Sequence, residues 1–439
     1  MKTKLPYALL FVGMTMGAIV IHAAGQALGA SGKVNAHMVQ MVEAGKVQLA
    51  VASWWGFDAE DSTDALQAAI DSGVRKLIID NPGKPWIVRP ITLASNQEIV
   101  FRKGVEVVAK SGEFKGKTDA LFRADDKQNI TLNGYGATLR MHRSDYANPP
   151  YEDAEWRHTL SIKSCSNVKV YGLTLADSGG DGIYLGTATK GVTNKDIHIK
   201  DVTCERHYRQ GISVITAENL LIENTIMRET GGTPPQSGID FEPNHADQRL
   251  VNVVMRNCTT EHNKGDGFEV YLMHIDAKSA PVSIRIENCL SIGDNGNAVS
   301  LTTRNAPGRA AKGTIEFVRC TFRDTVNSGV SILDVPVDGC TVRFSDCSIL
   351  DAALTKPDTT PILFRNRADA SVPLGGVIFD DCTVRDSIDR ALMSYSPKAI
   401  GVPVRGVTGT IIMERNGKKQ AIEITPELLQ EWIPASKKK

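Results

Sequence analysis

Three carboxylates stand where they could share work. In the stretch SGIDFEPN, residues 237–244, Asp240 and Glu242 lie two residues apart between apolar neighbours. Residues i and i+2 of a β-strand share one face, so Ile239 and Phe241 point one way and the two acids the other. Two strand rises set the acids about 6.6–7 Å apart. The segment GFEVY from Gly267 aligns with GIDFE from Gly238 and carries Glu269 at the position of Asp240. On adjacent strands of one sheet those two would be about 4.8 Å apart. Like charges this close raise each other's pKa, so one carboxyl can keep its proton near neutrality. A pair in mixed protonation states is what general acid–base chemistry requires.

The elements that must position these acids are legible as a repeat. Six segments begin with a small residue and continue in apolar alternation: GIYLG, GISVI, GIDFE, GFEVY, AVSLT and GVSIL. They start at Gly182, Gly211, Gly238, Gly267, Ala298 and Gly329, 27–31 residues apart. The inward positions are apolar throughout, from Ile183 and Leu185 to Val330 and Ile332. A second alternation precedes most copies and closes on a polar residue and a cysteine, as in VNVVMRNC and VSIRIENC. Short strands at this spacing, with no 3.6-residue periodicity, predict coils that each add one strand to several parallel sheets.

The stretch DSTDALQAAIDSGVRKLIIDNPGKPWIV, followed by coils with SGGDGIYLG and NVKVYGLTL, resembles the right-handed parallel β-helix proteins of the pectate-lyase-like superfamily. The resemblance covers residues 50–420. It implies an all-β, single-domain right-handed parallel β-helix, an N-terminal capping helix around residues 63–72 and coils from about 75 to 415. At the other end, TPELLQEWI places Thr425 as N-cap and Pro426 at the first helical position, so residues 421–439 should hold a short closing helix and a basic tail. Members of the superfamily include lyases, hydrolases, epimerases and adhesins, so the reaction has to be argued from the site.

On the outward face the carboxylates sit on two adjacent coils. Tyr184 and Tyr271 flank them as sugar-stacking aromatics. Asp181, His207 and Arg209 are expected at the mouth of the same sheet, with His158 and Asn244 as further substrate contacts. Polar inserts at 143–158, 186–196, 273–281 and 302–313 should wall a cleft along this face. The Asp240–Glu242 spacing suits an inverting glycoside hydrolase, whose carboxyls stand about 6.5–9.5 Å apart. The usual polygalacturonase pattern is absent, as is the D-P-H-E motif of alginate epimerases. The D-x-E pair is similar to the acid pair of iota-carrageenases, with the acidic order reversed. A rival reading is a polysaccharide lyase in which Asp240, Glu242, Glu269 and Asp266 bind Ca²⁺ and Arg209 or His207 takes the proton. A third is a non-catalytic surface or adhesin β-helix. The hydrolase reading needs no cofactor or metal.

The chain has 439 residues, with 50 Lys and Arg against 50 Asp and Glu. That balance argues against a nucleic-acid or membrane-surface partner. The resemblance and the acidic face imply a polysaccharide or oligosaccharide partner, acidic ones included, and a monomer is expected. Lys2 and Lys4 precede an apolar run over 5–24 and a small-residue segment, which read as a signal peptide cleaved within 25–30. The protein should therefore be secreted or periplasmic. Of eight cysteines, Cys258, Cys289, Cys320, Cys347 and Cys382 recur at one place in successive repeats. That recurrence predicts an interior ladder of free thiols. Phe241 and Phe268 are expected to stack on adjacent coils beneath the acids.

Overall fold

The computed structural model describes residues 32–432. The expected signal peptide and the basic tail lie outside them. The chain winds as a right-handed parallel β-solenoid of about twelve turns. One sheet contains eleven short strands in strict sequence order, from Ile91–Thr92 to Met393–Pro397. The other strands form a 22-stranded sheet that wraps the remaining faces. Alternation explains the inside of the coils: Ile183, Leu185, Ile212, Val214, Ile239, Phe241, Phe268 and Val270 are all fully buried.

The rung register runs Ile212–Ile239–Phe268 and Val214–Phe241–Val270. Phe241 and Phe268 are thus both interior, but they occupy different columns. The expected stack between them does not form, because Phe268 sits two positions earlier on its strand than Phe241. Aromatic stacking appears farther on, where Phe317, Phe344 and Phe379 lie 4.9 and 5.1 Å apart with planes tilted by 9°.

Each coil must turn without a partner for its bent backbone. Asparagines in the left-handed region meet that need and hydrogen-bond from coil to coil. Asn129 donates to Asn96 at 2.7 Å, Asn167 to Asn129 at 2.9 Å and Asn252 to Asn219 at 2.8 Å. Asn tolerates positive φ better than most residues, and a stacked amide satisfies both its donor and its acceptor. The thiol ladder forms as expected. All eight cysteines are free and buried, and Cys258 N–H points at Cys289 Sγ at 3.4 Å.

Helix α2 (Thr63–Asp71) inserts Leu66, Ala69 and Ile70 into the core at the N-terminal end. A preceding helix, α1 (Ala36–Glu43), adds Val42. At the other end, α3 (Pro426–Trp432) starts where Leu428 N–H donates to Thr425 Oγ1 at 3.2 Å. Before it, Lys418–Glu423 folds back antiparallel on Val407–Arg415, a hairpin that shields the last coil's open edge. Among the described residues no helix is long and apolar enough to cross a membrane.

Candidate active site

The Ile239–Phe241 and Phe268–Leu272 strands bring Asp240 and Glu269 side by side, since Asp240 and Glu269 are rung partners. Glu242 lies just past the end of its strand, and its N–H donates to the Val214 carbonyl at 3.0 Å. Its carboxylate is near enough to Asp240 for its charge to raise the Asp240 carboxyl.

Arg209 crosses from the preceding coil. Its Nη2 lies 3.3 Å from Glu242 Oε2 and its Nε 3.7 Å from Glu155 Oε1. Burial works against its charge, but Asp181, Asp240, Glu242 and Glu155 outweigh that and hold the guanidinium above its ordinary pKa. Gln210 Nε2 donates to Asp240 Oδ2 at 3.1 Å. Asp240 Oδ1 and the neighbouring Ser213 Oγ are buried without partners.

Protonation follows from this crowding. Asp240 is only 1 % exposed. Burial above all, then Glu269 and Glu242, raise its carboxyl well over the carboxylate range, with Arg209 opposing. Glu269 is half-buried; burial and the Asp266 and Glu242 carboxylates push it up to about 8, although Ser237 Oγ donates to its Oε2 at 2.6 Å. Asp266 is raised by burial while Asn297 counters with N–H and Nδ2 hydrogen bonds to Oδ1 at 2.5 and 2.9 Å. The site thus presents a protonated Glu269 beside an arginine-paired Glu242 at neutral pH.

The other expected residues divide. His158 stacks face to face on Tyr184, 4.5 Å between centroids and 3° between planes. His158 Nδ1 accepts the Asp181 N–H at 3.0 Å and faces Asp181 Oδ2 at 3.3 Å, an ion pair only when the ring is protonated. Asp181 is wholly buried and cannot meet a substrate. Burial raises its carboxyl, yet His158, Arg209 and the Gln210 N–H hold it below its usual range. It positions His158 and Arg209 from behind.

His207 is also fully buried and is not at the mouth of the sheet. Its Nδ1 is 2.8 Å from Ser178 Oγ, and a Cβ on Gly182 would come within 2.5 Å of its Nε2. Burial lowers its pKa to about 4. Neither His207 nor the carboxylate-held Arg209 is therefore placed to accept a substrate proton, as the lyase reading needs.

Tyr184, Asn244, Ile215, Lys190 and Gln248 line a cavity of about 710 Å³ beside the acids. Asn244 is exposed, and its N–H donates to Gln248 Oε1 at 2.6 Å. Tyr271 leans on His274 on the far side, 6.0 Å between centroids. Of the inserts, 143–158 is pinned by the fully buried Arg157, which donates to the carbonyls of Phe114, Lys115 and Glu152 at 2.6–3.1 Å. Ser279 Oγ donates to the Ala246 carbonyl at 2.8 Å and Arg309 pairs with Asp276 at 3.4 Å, which ties the later loops into one wall.

Each of the four carboxylates of the Ca²⁺ reading already has one oxygen engaged by a hydrogen-bond donor. Gln210 and Arg209 donate to Asp240 and Glu242, and Ser237 and Asn297 to Glu269 and Asp266. Among the described residues no group of three or more His, Cys, Asp or Glu is arranged to hold a metal.

Comparison with known proteins agrees with this architecture. A family model for the right-handed β-helix region matches residues 153–387, more than half of the chain. The protein belongs to that right-handed β-helix family. Uncharacterized protein YclG of Bacillus subtilis (strain 168) is 28% identical over 130 residues, which cover 28% of this chain and 22% of YclG. Among solved structures, the Dettilon tailspike protein gp208 aligns with a TM-score of 0.59 at 9% identity, over 79% of this chain and 64% of its own. A tailspike double mutant of E. coli bacteriophage HK620 in complex with pentasaccharide aligns at 0.58 and 15% identity, over 79% and 61%. The gp49 tailspike of Acinetobacter baumannii bacteriophage Fri1, a capsular polysaccharide depolymerase, aligns at 0.52 and 11% identity, over 88% and 66%. The chain spans under two thirds of each of these proteins. At such identities the likeness is one of fold.

Proposed function

We propose that this protein is an exported glycoside hydrolase that cleaves a polysaccharide on the face carrying Asp240, Glu242 and Glu269. The observation that carries the reading is the rung pairing of Glu269 with buried Asp240, which with Asp266 and Glu242 pushes the Glu269 carboxyl up to about 8, beside a Glu242 paired with Arg209. Glu269 donates its proton to the leaving glycosidic oxygen as the bond to the anomeric carbon breaks. Glu242 supports the other face of the sugar, by drawing a proton from water or by direct attack. Its separation from Glu269 in the bound state decides between inversion and retention. Asp240, buried and hydrogen-bonded by Gln210, tunes the neighbouring carboxyls without touching the sugar. Tyr184, backed by His158, offers a stacking surface, and the cavity at Asn244 offers room for a further sugar unit. A glycan as substrate class is supported by the relatives of similar fold, one a capsular polysaccharide depolymerase and one holding a pentasaccharide.

The test is a polysaccharide panel in which reducing ends and ultraviolet-absorbing unsaturated ends are followed together. Hydrolysis yields reducing ends alone, and Glu242→Gln should lower turnover by about 10² or more. Unsaturated ends would mean a lyase. Full activity in Glu242→Gln would remove that residue from the chemistry.

A further inference from the structure

A second feature lies off the carboxylate face, where chain leaves the large sheet and turns toward the site. Two adjoining hollows of about 610 and 560 Å³ share Arg143, Gly231 and Gly232 as their common wall. Arg143 reaches across two coils to donate from Nη1 to the Arg206 carbonyl at 3.1 Å. It is half-buried and pairs with no carboxylate among the described residues. Asp177, which lines one of the hollows with it, is already held by Arg140 at 2.6 Å and Arg206 at 2.9 Å. Burial, and then the charge of Arg206, lower the Arg143 pKa against the pull of Asp177. A guanidinium in that position is short of negative charge.

Lys264 enters the same wall from a later coil, since a Cβ on Gly231 would come within 2.7 Å of its Cγ and 3.8 Å of Arg143 Nη2. Lys264 is exposed, and the one carboxylate in the lining of its hollow is the exposed Glu229. Gly232 must be small, because a Cβ there would overlap the Tyr208 ring at 2.2 Å. The bare backbone at 231–232 therefore lets two cations and an aromatic ring converge. Gly231 N–H is used by the His207 carbonyl and Thr233 N–H by the Tyr208 carbonyl, which leaves the Gly232 N–H between them free for a ligand.

We infer that Arg143, Lys264 and the Gly232 N–H form a binding site for an oxyanion of the sulfate or phosphate class, free or esterified on a glycan. Two cations and a peptide N–H around a small basin suit a compact anion with several acceptor oxygens. Tyr208 gives one wall an apolar plane against which an attached sugar ring can lie. The site stands independently of the hydrolase reading, because its residues take no part in the carboxylate chemistry.

The experiment is thermal unfolding and calorimetric titration of the full chain with sodium sulfate, sodium phosphate and a sulfated disaccharide, each against sodium chloride at matched ionic strength. A saturable rise in melting temperature with sulfate or phosphate, absent with chloride, is the expected result. Tighter binding of the disaccharide than of inorganic sulfate would identify a glycan ester as the source, and equal binding a free anion. Arg143→Gln should weaken binding by about tenfold or more. Lys264→Gln, a surface change that leaves the coil intact, should weaken it less. No saturable effect of any oxyanion, or undiminished binding in both variants, overturns the inference.

Discussion

Replacing Glu269 by Gln should strengthen the fold at neutral and alkaline pH while abolishing turnover. The carboxyl sits at about 8 in the folded protein, against an ordinary value of 4.5. Below pH 4 it is protonated in both folded and unfolded chains and contributes nothing to the difference. From pH 4.5 upward the unfolded chain releases the proton while the folded one keeps it, so stability falls as pH rises, until both are ionised above 8. At about 1.4 kcal/mol per unit, the gap between the ordinary value and pH 7 amounts to roughly 3 kcal/mol. Partial exposure and the coupling to Asp240 and Asp266 reduce the attributable share to on the order of 2 kcal/mol. Glutamine keeps an oxygen for Ser237 Oγ and carries no charge. Urea unfolding of parent and Glu269→Gln at pH 4, 7 and 9 measures the effect. The midpoints should coincide at pH 4 and separate progressively above it, with the variant more stable. A separation that is flat in pH, or that favours the parent at pH 9, would refute both the raised pKa and the role of Glu269 as acid.

Phe241→Ala should cost about 3–5 kcal/mol by cavity formation, read as a shifted urea midpoint; Phe241→Asp should cost more, since it buries an unpaired charge. Arg209→Met should move the alkaline limb of the activity profile upward, because Arg209 opposes the rise of the Glu269 pKa; an unmoved limb would separate Arg209 from the acid. A thiol reagent should label none of the eight buried cysteines in the native protein and all eight after denaturation. A chelator should leave turnover unchanged, and loss of activity restored by Ca²⁺ would show a cation requirement and favour the lyase reading.

Much of the architecture was determined by the sequence because its causes are local and periodic. Alternation at Ile239 and Phe241 fixes which face is inside, and the 27–31-residue recurrence fixes which residues share a rung, so Asp240 was placed beside Glu269 correctly. The cysteine column and the Thr425 cap follow from the same kind of local rule. What only the tertiary structure decided lies in the turns, where no period constrains the side chains. Glu242 is one residue past its strand, and its carboxylate is met by Arg209 from the preceding coil. His207 and Arg209 are two residues apart in one turn, yet coil stacking sends the first behind Gly182 and the second across the face to Glu242. Gln210, Ser213 and Ser237 entered the site through the neighbouring coils alone. Their chemistry depends on which coil lies above and below, and that arrangement exists only once the solenoid is wound.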